Sequence, residues 1–256
     1  MRHIILLLTY VPGENVEKIG YNEKIIFSLG FFLSQLHYKL QPFNDSKVLQ
    51  RPNFIWSLMS VPNIENLLDI IPDEENRMLV IQHIQNFKKM VILKIDSLEK
   101  GVIHGDINYG NILVQKLNTS EGNDYKISGI IDFTDMHISC YFFDVALAAC
   151  YLGLAHVEYS MDAIALFLLG YQKRPFTDYE FQFLKVCICA RLCQSIVLGL
   201  QSLISNPNNY YVKNSTSQLY GWDFLKNLSK MSDEEFNANL HQKMNNFRCK
   251  YSTAEL

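Results

Sequence analysis

Two apolar runs, each too short to stand alone, set the main constraint on how this chain folds. Val102-Ile103 leads into the polar stretch His104-Gly105-Asp106-Ile107-Asn108-Tyr109-Gly110-Asn111, and Ile112-Leu113-Val114 leads out of it. A third run covers residues 127–131 and follows a segment, 116–124, rich in Asn, Ser and Gly. Runs of this length read as strands, and a pair of strands needs other elements to cover it. The spacing predicts a hairpin of residues 112–114 with 127–131. That pairing brings Asn111 and Asp132 to the same end of the hairpin, on the side of Asp106.

The cover is helical. Ile25, Ile26, Leu29, Phe32, Leu33 and Leu36 recur at three- and four-residue intervals and predict a helix over 22–40. Gly30 inside it marks a close contact, and His37 near its end reads as a packed or helix-terminal histidine. Leu79, Ile84, Phe87, Val91, Ile95 and Leu98 predict a second helix over 73–100, with Lys88, Lys89 and Lys94 on its solvated side. Further helices are expected over 143–154, 161–171, 178–205, 220–229 and 233–247. Ser232 caps the last of these, ahead of three acids in its first turn. Residues 4–10 read as a strand entering the turn at Pro12-Gly13. Phe54 and Trp56 anchor segment 50–56, whose Arg51 and Asn53 face solvent.

The 256 residues are 48% hydrophobic, enough for a sizeable core and against general disorder. The net charge is −3 with the signs interspersed, so no nucleic-acid surface is expected. The apolar start is too short for a secretory signal. The most apolar later stretch, 186–204, contains Arg191 and Gln194 and reads as a buried helix, so no membrane partner is expected. The six cysteines lie mainly in apolar helical stretches and read as reduced, buried thiols of a cytoplasmic protein. Cys189 and Cys193 share a helix face, but a metal site needs further ligands.

Phosphoryl transfer to an alcohol requires a cation on the nucleotide phosphates, a carboxylate on the hydroxyl, and in-line placement of donor and acceptor. Asp106, Asn111 and Asp132 supply that set. Asp106 is the base or hydroxyl-orienting group, and Asn111 and Asp132 are metal ligands, since Mg²⁺ takes oxygen donors and keeps several waters. His104 braces the loop by hydrogen bonding. Asp135 either serves a metal indirectly or caps a turn. Arg191 and Gln194 lie one helical turn apart, where Arg191 either meets an acceptor carboxylate or forms a buried ion pair.

The stretch 104–111 resembles the catalytic loop of the aminoglycoside-phosphotransferase-like kinases, relatives of the protein kinases. Asp132 matches the metal-binding Asp of that family's next motif. Leu29-Gly30, Leu33, Leu36 and His37 resemble its early C-lobe helix, and Asp144-Val145-Ala146 its later Asp-Leu-Ala segment, where the Asp is structural. Residues 7–13, 53–56, 128–133 and 191–195 are similar to a branch that transfers phosphate from GTP to the hydroxyl of 5-hydroxy-L-lysine. The resemblance implies Mg²⁺, GTP or ATP as donor, a hydroxylated amino acid as small-molecule acceptor, and nucleotide contacts at Leu8 and Tyr10. Thr134 stands where the pattern has Gly, and Tyr109-Gly110 replaces a more polar pair.

The expected fold is therefore α+β: a protein-kinase-like C-lobe, mainly helical, with a small hairpin at the catalytic loop. Residues 1–13 are expected to form the last N-lobe strand and the hinge, and 14–256 the helical C-lobe. Nothing before residue 7 matches the family's phosphate-holding Lys, so the chain reads as truncated at its N-terminus, with most of the N-lobe sheet absent. Two rival expectations are a kinase for another small hydroxylated metabolite and an inactive C-lobe acting at most as a binding module.

Overall fold

The computed structural model describes residues 8–43, 49–117, 124–174 and 176–251. It is a mainly helical α+β fold in which five short strands, among the described residues, sit against helices. The strands are β1 (Glu14–Asn15), β2 (Lys100–Ile103), β3 (Ile112–Lys116), β4 (Tyr125–Ile130) and β5 (His137–Cys140). They form two antiparallel ribbons, one in the order β1-β3-β4 and the other of β2 with β5.

This topology builds the site. β2 leads into loop 104–111 and β3 leads out. β4 leads into turn 131–136 and β5 leads out. Because Ile112 pairs with Ile130 in one ribbon and Ile103 with His137 in the other, the loop and the turn are held against each other. The hairpin of 112–114 with 127–131 is thus present, with its strands extended to Lys116 and Tyr125. Part of its connecting turn, 118–123, lies outside the described residues. Strand β5 escaped notice because the Asp132 turn ahead of it hides the alternation of its four residues.

The longer helices are α1 (Glu23–Leu40), α2 (Glu74–Met90), α3 (Tyr141–Ala155), α4 (Ser160–Gly170), α5 (Asp178–Ser205), α6 (Thr216–Ser229) and α7 (Asp233–Tyr251). Their starts follow from local chemistry. Asn22 accepts from the Ile25 amide at 2.9 Å, and Asp73 from the Asn76 amide at 2.7 Å. Thr177 and Glu180 close a reciprocal capping box, as do Ser232 and Glu235, each satisfying amides that the first turn leaves open.

Helix α5 is the centre of the core, packed by α2, α3, α6 and the 3₁₀ segment Leu58–Ile70. Residues Tyr179–Ser205 are long and apolar enough to cross a membrane, but 89% of that apolar window is buried inside the protein. Cys140, Cys150, Cys187, Cys189 and Cys193 are buried and unpaired, and burial pushes the Cys189 thiol up to about 12. Helices α1 and α4 meet without intervening side chains. A Cβ on Gly30 would lie 2.0 Å from the Phe167 carbonyl oxygen, and one on Gly170 2.0 Å from that of Phe27.

Two expectations change. The helix expected over 73–100 stops at Met90 and continues as a 3₁₀ stretch, Ile92–Ser97, before β2. Val91, Ile92 and Ile95 are β-branched and weak helix formers, and apolar spacings of three and four suit either helix type. Of the strand expected over 4–10, residues 4–7 lie outside the described set, and Leu8–Tyr10 carry no strand structure; among the described residues the first strand is β1.

Candidate active site

Loop 104–111 is anchored from behind. Asp144, at the start of α3, is fully buried. Its carboxylate accepts from the His104 amide at 2.7 Å and the Gly105 amide at 2.8 Å. His37 Nε2 lies 3.1 Å from the same carboxylate, while its Nδ1 lies 2.7 Å from the Tyr171 hydroxyl. Burial alone would raise the Asp144 pKa. The His37 hydrogen bond and charge, with the Gly105 amide, reverse this and hold it below the usual carboxylate value. Gly105 has φ 86°, and a Cβ there would lie 2.5 Å from the Asp135 carbonyl oxygen, so loop and turn touch through backbone.

His104 is buried and in one tautomer. Its Nδ1 accepts from the Asp106 amide at 3.2 Å, which leaves Nε2–H to donate to the Ile131 carbonyl at 3.0 Å. Its ring packs edge-on against Phe133, with centroids 4.8 Å apart. The ring thus ties the loop to the turn.

Asp106 projects forward. Its Oδ2 accepts from Asn108 Nδ2 at 2.8 Å and Asn111 Nδ2 at 3.0 Å, and its Oδ1 lies 3.5 Å from Arg191 Nη2. Asn111 Nδ2 also donates to the Asp106 carbonyl at 2.9 Å. The side-chain amide is thereby oriented, and its Oδ1 is the atom left to offer a cation. The Asn111 carbonyl accepts from the Ile131 amide at 2.9 Å, which sets Asp132 beside it.

Asp132 has φ 63° and ψ 69°, a left-handed conformation that few residues other than glycine adopt. Thr134 holds it there. Its hydroxyl donates to Asp132 Oδ1 at 2.6 Å and its amide to the same atom at 3.3 Å. The departure from Gly at position 134 therefore adds a fixing bond. Asn111, largely buried, and the exposed Asp132 supply an amide oxygen and a carboxylate on adjoining segments, a donor set that fits a hard divalent cation completed by water and phosphate oxygens. Among the described residues no cluster of three or more His, Cys, Asp or Glu forms a metal site of its own.

In front of Asp106 opens a cavity of ≈ 270 Å³. Its walls include Trp56, Asp135, Tyr151, Arg191, Tyr211 and Thr216. Arg191, on α5, is 2% exposed. Its Nε donates to the Tyr151 hydroxyl at 3.2 Å, and its Nη1 to the Trp56 carbonyl and Gln194 Oε1, both at 3.0 Å. Burial works against its charge, and Tyr151 and Asp106 more than offset this, keeping it protonated. Gln194 lies behind Arg191, fully buried and outside the cavity wall. Its Nε2 donates to the carbonyls of Ile55 at 2.7 Å and Ser57 at 2.9 Å.

Asp135 borders the same cavity. Its carboxyl is held above the usual value by partial burial first and by the charge of Asp106 second. Arg51 reaches it only at 3.7 Å; the same Nη1 donates to the Thr134 carbonyl at 2.7 Å, and the guanidinium stacks on Phe54 at 3.7 Å.

Leu8 and Tyr10 stand 80% and 82% exposed, ahead of Val11, which packs on Gly129 of β4. Sequence reasoning missed Asn15, whose Nδ2 donates to the Gly110 carbonyl at 2.7 Å and pins the loop from β1. It also missed the cavity wall at Trp56, Tyr151 and 211–217. No local pattern marks these positions, because they meet only in the fold.

Comparison with known proteins accords with this geometry. A family model described as the phosphotransferase enzyme family, APH, matches residues 2–181. The hydroxylysine kinase of Bos taurus is 32% identical over 233 residues, covering 90% of this chain and 61% of that protein. The hydroxylysine kinase of Mus musculus is 30% identical, covering 91% and 62%. The chain thus spans about three fifths of the length of these curated relatives. Among solved structures, amicoumacin kinase with AMP-PNP, Ca²⁺ and its ligand superimposes with TM-score 0.58 at 16% identity, over 91% of this chain and 66% of that one. The GDP complex of aminoglycoside 2'-phosphotransferase IIIa does so with TM-score 0.56 at 16% identity, over 86% and 69%. The family model covers well over half of the chain, and the chain belongs to the phosphotransferase enzyme family.

Proposed function

We propose that this chain carries the acceptor and metal sides of a kinase that transfers the terminal phosphate of a nucleotide, GTP in this reading, to the hydroxyl of 5-hydroxy-L-lysine. The observation that carries the reading is Asp106. It is fixed by Asn108 and Asn111, paired with a buried Arg191, and aimed into a cavity of small-molecule size. The named relatives at 30–32% identity support hydroxylysine as acceptor.

In this reading the acceptor hydroxyl lies on Asp106, which orients it and takes its proton as the bond to phosphorus forms. Arg191, 3.5 Å away, holds the carboxylate in place. Gln194 holds the 55–57 backbone that forms one cavity wall. Asn111 Oδ1 and Asp132 would hold Mg²⁺, which would supply charge neutralisation to the phosphate oxygens. Leu8 and Tyr10 stand on the nucleotide side, reached through residues 11–15.

The test is nucleotide turnover by the full chain. GDP release that requires hydroxylysine and Mg²⁺, does not occur with lysine, and is lost in Asp106→Asn is the expected result. Equal release with lysine, or unchanged turnover in Asp106→Asn, removes the reading. Best turnover on a sugar or choline-like alcohol would keep the chemistry and replace the acceptor.

A further inference from the structure

Asp135 is the one cavity-lining carboxylate with no assigned task. Its side chain is only 26% exposed, yet among the described residues no hydrogen-bond donor reaches its oxygens. Arg51 stands beyond hydrogen-bond reach and is committed to the Thr134 carbonyl. The other charges on the cavity wall, Asp106 and Arg191, already face each other at 3.5 Å. From inside the cavity, Asp135 is therefore a carboxylate without a hydrogen-bond donor among the described residues, its charge met only by the long Arg51 contact and by Arg191, which is already paired with Asp106. A partly buried carboxylate without donors is costly and favours a cationic partner. The cavity also carries the rings of Tyr109 and Tyr211, faces that suit an ammonium group.

Position sets where that cation belongs. Loop 104–111 and turn 131–136 touch at Gly105 and the Asp135 carbonyl, so the two carboxylates stand on neighbouring backbone segments. An acceptor whose hydroxyl rests on Asp106 meets Asp135 only through a group close to that hydroxyl. We propose that Asp135 is the specificity-determining residue of the acceptor site, binding an ammonium carried on the carbon next to the reacting hydroxyl, so that the acceptor class is the vicinal amino alcohols. The proposal deepens the reading of the preceding subsection and rests on its assignment of the cavity to the acceptor. Hydroxylysine has this arrangement at its side-chain end. Arg191, occupied by Asp106, Trp56, Tyr151 and Gln194, then serves as a positioning residue and not as the partner of an acceptor carboxylate.

The test is calorimetric binding to the full chain, with turnover measured in parallel. Hydroxylysine is compared with its analogue lacking the ε-amine, and 1-amino-2-propanol with propane-1,2-diol. Wild type is expected to prefer each amine at least tenfold over its partner. Asp135→Asn is expected to remove that preference, raising KM for hydroxylysine ~10–100-fold with a smaller change in kcat. Thermal melting verifies that this isosteric variant is folded, and the wild-type ligand pairs test the idea without any variant. Equal binding of amine and diol by wild type, or an undiminished preference in folded Asp135→Asn, overturns it. If 1-amino-2-propanol shows the preference and its loss while hydroxylysine is not turned over, Asp135 keeps its role and hydroxylysine is excluded as acceptor.

Discussion

Behind loop 104–111, Asp144 is fully buried and accepts two backbone amides and a His37 contact. In front of it, Asp135 is partly buried and accepts none from the described residues. The two carboxylates flank one loop, and their surroundings push them in opposite directions. Partners hold Asp144 low, whereas burial and Asp106 hold Asp135 high. A satisfied buried charge fixes geometry, and an unsatisfied one waits for a ligand. The rear of the loop is built for position, the front for exchange.

The sharpest way to break this contrast is to remove one charge from each side. Asp106→Asn should lower turnover about 10²–10⁴-fold while the protein stays folded, measured by nucleotide release and thermal melting. Asp144→Ala should do the reverse. It leaves two amides and His37 buried without their acceptor and should cost about 3–5 kcal/mol in denaturant unfolding. If Asp144→Ala stayed near wild-type stability, the brace would be dispensable and the contrast empty.

A smaller effect is expected at the metal edge. Thr134→Val removes the 2.6 Å hydroxyl bond to Asp132 and should raise the half-saturating Mg²⁺ concentration about fivefold, in line with about 1 kcal/mol for one hydrogen bond. Its thermal midpoint should barely move.

The smallest effect is on pH dependence, and its sign differs between the two carboxylates. Asp144 is depressed, so its contribution is present above the unfolded carboxylate pKa of about 3.9 and is lost as pH falls toward its folded value. Asp135 is raised, so its contribution is full below about 3.9 and is lost as pH rises through its folded value. Asp144→Asn should therefore flatten the acid limb of the stability curve. Asp135→Asn should add about 0.5 kcal/mol at pH 7. Parallel urea titrations from pH 3 to 8 would separate the two slopes.

The parts of this molecule that were legible in the sequence are those whose partners lie within one ribbon or one helix. Asp106, Asn111 and Asp132 could be grouped because strand pairing of 112–114 with 127–131 is a short-range inference. Helix α5 was read with both ends correct, since Thr177 and Glu180 cap it and its apolar face is continuous. The cavity was not legible. Trp56, Tyr151 and 211–217 come from distant segments and converge only because α5 draws them together. The hydrogen-bond roles of Arg191 and Gln194 were equally hidden, because an Arg and a Gln one turn apart look the same whether they face a ligand or the 55–57 backbone. Asn15 is an ordinary polar residue until β1 pairs with β3.

The contact between Gly30 and Gly170 has a mechanical consequence. With no side chain between α1 and α4 at that point, there is no rotamer to take up slack, and a displacement is transmitted as movement of a whole rod. His37 lies two turns further along α1, and Tyr171 directly follows Gly170, so both ends of the His37–Tyr171 link hang from this fulcrum. A single methyl group added there would tilt the lever on which loop 104–111 rests, and its cost would be felt as misalignment at Asp106, far from where the atom was placed.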